Sequence, residues 1–263
     1  IKDFISSVFD EQSVSFLLNK IGSKVIKLPS GEINNLLILK KLKLSNYKIL
    51  ISTGMSNYQD IINAINTIAK KKVYKLKNLK PVIINKRYFK ILKKKICIMH
   101  CVTDYPVSKN QANLKCIDNI KKDFNLVTGY SDHTLGILAA IIAVAKGAKV
   151  IEKHLTLNKK MKGPDHLASL EPKEFSKMVE NIREFELMNG NGKKKLQLCE
   201  IQNSRVARKS IVAKIAIDKN EIFTLKNLTV KRPGIGLNPF MIEKLINKKS
   251  KYKYYLDQMI KKQ

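Results

Sequence analysis

Residues 126–154 read LVTGYSDHTLGILAAIIAVAKGAKVIEKH, and this stretch gives the clearest indication of the fold class. It opens with a short β-rich run, Leu126–Tyr130, continues with an apolar helical pattern over Leu135–Lys146, and closes with a second β-rich run, Lys149–His154. Two strands joined by a single helix pair in parallel, because the helix returns the chain to the starting end of the sheet. The stretch therefore predicts a βαβ unit of a parallel α/β protein.

The same alternation of strand and helix patterns extends through the first 190 residues. Four further strands are predicted, at Phe4–Phe9, Lys24–Leu28, Lys48–Ser52 and Ile96–Val102. Six βα units predict a TIM-type (β/α) barrel domain over residues 1–190 that supplies strands 3 to 8, since a complete barrel has eight units in ~250 residues. Because the chain starts at Ile1 and not at methionine, we expect the first two βα units to be absent from it.

The residues after the predicted barrel have a different pattern. A polar, Lys-rich segment over 191–204 is typical of a linker, and residues 205–263 alternate short apolar runs with turns, which predicts a small mixed β domain. Within the barrel, Val73–Lys95 is long for a connection between a helix and a strand, and we interpret it as a surface insertion.

The formal net charge of +30 is the strongest signal in the composition. Such a charge would suit nucleic acid or a membrane surface. Lysines are scattered along the whole chain, however, whereas nucleic-acid-binding proteins concentrate Arg, Lys and aromatic residues in one stripe or module. No apolar run approaches the ~20 residues that cross a bilayer. We therefore expect a soluble, cytoplasmic protein that binds neither nucleic acid nor membrane.

Histidines and carboxylates follow two neighbouring strands. His133 and His154 lie near the C-terminal ends of these strands, which form the active-site face of a parallel barrel, with Asp132 and Glu152 beside them. Two imidazoles with open coordination positions suit a divalent metal ion that polarises a carbonyl. A pair of histidines also occurs in cores and on surfaces, so their position alone leaves the metal site open.

Hydroxyls, a lysine and glycines follow other predicted strands. Lys27, Ser30 and Gly31 follow one of them, and Ser52-Thr-Gly54 follows the next. A single Ser-Gly pair would indicate an ordinary turn. Their recurrence at several strand ends favours a site for a phosphate or a carboxylate.

Eight motifs, in this order and spacing, resemble those of bacterial N-acetylneuraminate (sialic acid) synthases: Phe4–Asp10, Lys27–Glu32, Ile51–Met55, His100-Cys101, Gly129–Gly136, Glu152–His154, Gly163–Pro172 and Arg232–Gly234. The resemblance covers nearly the whole chain, and residues 205–263 resemble the antifreeze-like (SAF) capping domain of that family. It implies condensation of phosphoenolpyruvate and water with N-acetylmannosamine, or a related N-acetylated hexosamine, to give a sialic acid-type nonulosonate and phosphate.

The resemblance also implies roles for individual residues. His133 and His154 match the ligands of a Mn²⁺ or Mg²⁺ ion. The matching phosphoenolpyruvate-binding positions are Ser7, Lys27, Ser30, Ser52, Thr103 and Ser131. The predicted catalytic residues are Glu152, Tyr105 and Asp165, of which the last two match contacts to the sugar. Arg232 matches an arginine that reaches the N-acetyl group in the barrel of the partner subunit, which implies a domain-swapped homodimer.

The sequence departs from the family pattern in two respects, and three alternative functions stay open. Family members open with two strands that bear a catalytic glutamate and a second phosphoenolpyruvate-binding lysine, and no residue here matches either. Thr103 stands where an asparagine can occur. We therefore expect this chain alone to bind substrates poorly and to turn over little or not at all. The alternatives are a pseudaminic acid synthase, a legionaminic acid synthase, and a non-catalytic remnant that only dimerises or binds sugar acids.

Overall fold

The computed structural model describes residues 4–262, and the chain divides into two units, 1–190 and 191–263. The strands are β1 Ser6–Ser7, β2 Val25–Leu28, β3 Lys48–Ser52, β4 Tyr74–Lys77, β5 Lys80–Ile83, β6 Ile96–Cys101, β7 Val127–Asp132, β8 Val150–Lys153, β9 Ser210–Ala213 and β10 Leu228–Lys231. The helices are α1 Glu11–Phe16, α2 Leu36–Lys41, α3 Tyr58–Ala69, α4 Lys86–Lys95, α5 Lys115–Phe124, α6 Leu138–Ala145, α7 Pro172–Asn189, α8 Ile201–Ala207 and α9 Ile242–Leu245.

Six strands form the parallel sheet of the first unit, in the order β1-β2-β3-β6-β7-β8. All six correspond to predicted strands, and β1 is shorter than the predicted Phe4–Phe9 run. The helix predicted between β7 and β8 is present as α6. Within residues 4–262, no helix is long and apolar enough to cross a membrane.

Side chains of the main sheet alternate between two faces, as the pleat requires. Ile26, Ile49 and Ile98 belong to the main apolar core, which includes buried residues of α2 and α3. The intervening residues Leu50 and Cys97 belong to a separate apolar cluster on the other face. The sheet therefore has a helix-covered outer face and an inner face.

The sheet is strongly curled around its inner face. Lys27 on β2 and Glu152 on β8 have three strands between them, yet the Nζ–Oε1 distance is 3.3 Å. In a flat sheet, strands that far apart would be separated by roughly 19 Å, beyond the reach of a lysine and a glutamate. The first unit is therefore a half-barrel, consistent with the predicted TIM-type α/β fold.

The segment predicted as a surface insertion contributes to the core. It forms the antiparallel hairpin β4–β5 followed by α4. Val73, Tyr74 and Leu92 are buried in the main core, and the Tyr74 hydroxyl donates to the Phe124 carbonyl at 2.7 Å. The interpretation as an insertion on the surface is wrong, because these residues cover the outer face of the half-barrel.

The second unit has a small core of its own. Strands β9 and β10 pair antiparallel, and Ile211, Phe223 and Tyr254 are buried in one apolar cluster. The segment predicted as a linker, 191–204, contains a 3-10 turn at Leu198–Glu200 and the start of α8. Apart from Ser204, which is half-buried, its residues are exposed.

Candidate active site

Four polar residues project from the ends of β7 and β8 onto the inner face. Ser131 and Glu152 are register partners across the two strands. His133 and His154 each lie two residues further on, so a period of two places them on the same side as Ser131 and Glu152. Their positions follow directly from the sequence patterns Ser-x-His and Glu-x-His.

Glu152 receives two donors on this face. The Ser131 hydroxyl donates to Oε1 at 2.7 Å, and the Lys27 ammonium lies 3.3 Å from the same oxygen. The Lys27 side chain is 7% exposed, whereas that of Glu152 is 39% exposed. The carboxylate is thus held at one oxygen while part of the group remains open to a ligand.

His133 is buried and held by the backbone. Its Nδ1 lies 2.8 Å from the Val102 carbonyl, and since a carbonyl only accepts, Nδ1 carries the proton. Nε2 therefore keeps its lone pair and lies 3.4 Å from the Ser131 hydroxyl, whose proton is donated to Glu152. Burial, with a further contribution from His154, lowers the pKa of His133 below its usual range. At neutral pH this residue is therefore a neutral imidazole, the form that binds metals.

The second histidine, a tyrosine and an aspartate surround His133. The ring centroids of His133 and His154 are 5.4 Å apart with the planes at 82°. Tyr105 has its ring 4.1 Å from His133 and 5.5 Å from His154, and the Asp165 carboxylate lies 3.8 Å from His154 Nδ1. Two histidines, a phenol and a carboxylate therefore line one part of the inner face.

The spacing of the two imidazoles fits a shared metal ion. With metal–nitrogen bonds of about 2.1 Å, two imidazoles on one ion have centroids roughly 5 Å apart. Within residues 4–262, no group of three or more His, Cys, Asp or Glu side chains could hold an ion. A metal here would take two protein nitrogens and keep its remaining positions for water or substrate.

A second polar corner lies beyond the ends of β2 and β3. The Ser30 hydroxyl accepts from the Gly54 amide at 3.0 Å, and the Thr103 hydroxyl lies against the Cα of Gly54. The Ser52 hydroxyl is buried without a hydrogen-bond partner. Native proteins rarely leave such a group unsatisfied, so this corner has donors available to a polar ligand.

The sequence profile of the NeuB family matches residues 2–194, which include all six strands of the half-barrel. The chain belongs to the NeuB family. The assignment agrees with the resemblance to sialic acid synthases seen in the sequence motifs.

Two relatives of this NeuB chain carry the name N,N'-diacetyllegionaminic acid synthase. The protein from Campylobacter jejuni is 43% identical over 258 residues, which are 98% of this chain and 72% of the relative. The protein from Legionella pneumophila is 38% identical, with 93% of this chain and 64% of the relative covered. The chain thus spans about two thirds of the length of these two proteins.

A solved structure shares the fold. The N-acetylneuraminic acid (sialic acid) synthetase from Leptospira borgpetersenii, in complex with citrate, superposes with a TM-score of 0.61 at 29% identity. The superposition covers 75% of this chain and 61% of the other.

Two predicted site residues of the NeuB chain remain, Ser7 and Arg232. Ser7 on β1 is the register partner of Lys27 on β2 and is half-buried. Arg232 belongs to the second unit, where its Nε donates to the Ala207 carbonyl at 2.9 Å. Ser7 thus lies next to the strand that bears Lys27, and Arg232 is exposed within its own unit.

Asp132 is on the opposite side of the sheet from the histidines. Its carboxylate forms an ion pair with Lys153 at 3.0 Å, and both side chains are completely buried. The other carboxylate oxygen accepts from the amide and the hydroxyl of Thr134, both at 2.8 Å, and Lys153 also donates to the Thr134 carbonyl. The prediction that Asp132 lies beside the histidines in the site is wrong, because successive residues of a strand face opposite ways.

This buried pair is a feature that the sequence interpretation missed. The available signal was the alternation itself: Asp132 and Lys153 occupy the outward positions between the inward pairs Ser131/His133 and Glu152/His154. The pair ties β7 to β8 at the point where both histidines leave the sheet.

We predict that Gly54→Ala lowers the affinity of this corner for a phosphorylated anion, with phosphoenolpyruvate as the probe, on the order of tenfold, about 1.4 kcal/mol. A Cβ there would lie 2.9 Å from the Ser30 hydroxyl and overlap that of Thr103, so both donors must move. The matched control is Gly31→Ala, where an added Cβ meets nothing within 4 Å. Calorimetric titration of both variants measures the effect, and equal affinities would contradict a ligand-binding role for this corner.

Proposed function

We propose that the chain carries the synthase site of a nonulosonate synthase. It would condense phosphoenolpyruvate and water with N-acetylmannosamine, or a related N-acetylated hexosamine, and release phosphate. The observation that carries the proposal is the inner-face cluster in which Lys27 and Ser131 hold Glu152 beside the His133–His154 pair. Membership of the NeuB family and the names of the two relatives support the same reaction.

Phosphoenolpyruvate is an anion that needs several donors, and the inner face offers them. Lys27 supplies an ammonium group, which lies 3.3 Å from the Glu152 carboxylate. Ser52 supplies a hydroxyl without a partner, while Ser30 and Thr103 supply hydroxyls beside Gly54. Charge-assisted hydrogen bonds of this kind are the strong ones in phosphate recognition, so these residues, with Ser7 and Ser131 nearby, are the proposed phosphoenolpyruvate site.

His133 and His154 are the proposed ligands of Mn²⁺ or Mg²⁺. A bound divalent ion supplies Lewis-acid polarisation of the aldehyde of the open-chain sugar, worth several kcal/mol of transition-state stabilisation. The hydrogen bond from Nδ1 to the Val102 carbonyl keeps the His133 ring oriented, and its lowered pKa keeps Nε2 available at neutral pH. Tyr105 and Asp165, which lie against the two rings, are the proposed contacts to the sugar.

The reaction joins two carbons and breaks one carbon–oxygen bond. C3 of phosphoenolpyruvate attacks the aldehyde carbon, the aldehyde oxygen gains a proton, and water adds at C2. The tetrahedral product then loses phosphate by cleavage of the C2–O bond, which leaves the 2-keto acid. Glu152 is the proposed base for the water, since its carboxylate is held at one oxygen by Ser131 and open elsewhere.

Arg232 and the second unit are proposed to complete the site in a dimer. The unit would act as an antifreeze-like capping domain, and Arg232 would reach the N-acetyl group of the sugar in the partner subunit. Its guanidinium makes no ion pair in the part of the chain that the structure describes, so it is available to such a ligand. A domain-swapped homodimer is therefore part of the proposal.

Phosphate release from phosphoenolpyruvate in the presence of Mn²⁺ tests this function. The sugars to compare are N-acetylmannosamine and a hexose with two acetamido groups, because both relatives are named for a diacetylated product. Since the chain spans 72% of the Campylobacter relative, the assay is run on this chain and on this chain extended with the residues of that relative that it does not match. Sugar-dependent release by either sample supports the proposal, and the preferred sugar identifies the branch.

One result of this assay would reject the proposed function. Absence of sugar-dependent release from both samples, with folding, metal and dimer verified, would reject the synthase and favour a remnant that only binds sugar acids. Release by the extended sample alone would agree with the expectation that this chain turns over little by itself.

We predict that His133→Ala weakens Mn²⁺ binding at least 30-fold, about 2 kcal/mol, because one of two protein ligands is lost. Water-proton relaxation of Mn²⁺ titrations gives the affinity directly. The matched control is His166→Ala, which removes a partly buried histidine that contacts Thr156 rather than the histidine pair. Equal affinities for the two variants would remove the metal from this position.

A further inference from the structure

Two hydroxyl oxygens among residues 4–262 are buried without a hydrogen-bond partner, those of Ser52 and Ser23. Ser52 belongs to the proposed phosphoenolpyruvate site. Ser23 lies two residues before β2, at the N-terminal ends of the strands and therefore at the opposite end of the half-barrel. The proposed reaction does not use Ser23, yet a buried hydroxyl of this kind requires a partner.

Ser23 lines a pocket with a volume of about 550 Å³. The pocket lies between α1 and the segments before β2 and β3, and four lysines line it: Lys24, Lys40, Lys41 and Lys43. No aspartate or glutamate lines it. In the part of the chain that the structure describes, none of these four ammonium groups lies in an ion pair. The pocket therefore concentrates positive charge without a compensating carboxylate.

The general abundance of lysine in this chain explains only part of this arrangement. Lys40 and Lys41 occupy the last turn of α2, where the helix dipole favours cations. Lys24 and Lys43 lie outside helices, and the helix dipole explains neither their convergence on one concavity nor the buried hydroxyl of Ser23. A ligand that accepts hydrogen bonds and carries negative charge would satisfy all of these groups together.

We propose that this pocket binds a small oligophosphate anion, either inorganic pyrophosphate or the diphosphate of a nucleotide. The volume exceeds that of a single phosphate, and lysines on several sides suit an anion with more than one charged group. The Ser23 hydroxyl is closed off from solvent in the structure, so its donation to one of the anion's oxygens requires a change of the Ser23 rotamer. This site is separate from the inner-face site and does not depend on the proposed function.

Calorimetric titration with pyrophosphate at low ionic strength tests the proposal, with ADP and orthophosphate as comparison ligands. Lys24→Ala combined with Lys43→Ala should weaken pyrophosphate binding on the order of tenfold or more. Ser23→Ala should weaken it while raising the melting temperature of the free protein, since it removes an unsatisfied buried hydroxyl. The charge-matched control, Lys71→Ala with Lys72→Ala on an exposed turn, should leave binding unchanged.

Lys27→Ala separates this pocket from the inner-face site, and pyrophosphate binding to the pocket should survive it. If the affinity for pyrophosphate equals that for ADP, the pocket is assigned to the inorganic anion. If ADP binds more tightly, the pocket is assigned to a nucleotide. Both results support the proposal. Three results would overturn it: no binding by the unmodified chain, equal loss in the Lys71/Lys72 control, or loss only with Lys27→Ala.

Discussion

Glu152→Gln is expected to lower the turnover of phosphoenolpyruvate by about 10²- to 10⁴-fold, the range for removal of a general acid or base. Glutamine preserves the shape and can still accept from Ser131, so the site stays assembled. It cannot take a proton from the attacking water. The measurement is single-turnover phosphate release by the sample that shows the highest sugar-dependent activity.

The Michaelis constants separate this chemical role from a binding role. With Glu152→Gln we expect turnover to fall while the KM for phosphoenolpyruvate changes little or decreases, because Lys27 is freed from its ion pair. Lys27→Ala should instead mainly raise the KM for phosphoenolpyruvate. Equal effects of both substitutions on KM alone would remove Glu152 from proton transfer and make it a second binding residue.

Asp132→Asn is expected to lower the free energy of unfolding of the first unit by about 3–5 kcal/mol, because it leaves the buried Lys153 ammonium without its counter-charge. Both side chains are fully excluded from water, and the carboxylate also holds the Thr134 amide and hydroxyl. A loss of this size is a large part of the 5–15 kcal/mol typical of a domain. Urea denaturation followed by circular dichroism measures it.

Two further variants show that the effect arises from burial of a charge. Glu180→Gln removes the exposed partner of Lys177 and should cost under about 1 kcal/mol. Combining Asp132→Asn with Lys153→Met removes the unpaired charge as well, so the double variant should recover part of the loss. If Asp132→Asn is as mild as Glu180→Gln, the pair does not hold β7 and β8 together.

The six strands of the parallel sheet could be predicted from the sequence because each is a short β-rich run with clear ends. The common location of Ser131, His133, Glu152 and His154 could also be predicted, since they lie at the ends of two such runs. Asp132 was placed beside the histidines because its side chain was expected on the wrong face of the strand. The alternation of side chains along a strand is visible in the sequence. Which of the two alternating sets of residues faces inward is shown only by the packing of Tyr130 and Ile151 against α6.

Features that depend on distant parts of the chain could not be predicted. The contact between Lys27 and Glu152 arises from the curl of a whole sheet, and no local pattern encodes it. Residues 73–95 looked like an insertion because their many lysines outnumber the few buried positions, Val73, Tyr74, Pro81 and Leu92. The pocket around Ser23 likewise joins residues from before β2 and before β3, which only the fold brings together.

Detection of the new carbon–carbon bond between the two substrates tests the proposed synthase reaction itself. Phosphoenolpyruvate labelled with ¹³C at C3 is incubated with Mn²⁺ and a hexosamine labelled with ¹³C at its aldehyde carbon, and the products are examined by NMR. The account predicts one-bond coupling between the two labels in a 2-keto acid, and its loss in Glu152→Gln. Label recovered only in pyruvate, with phosphate released regardless of sugar, would contradict it.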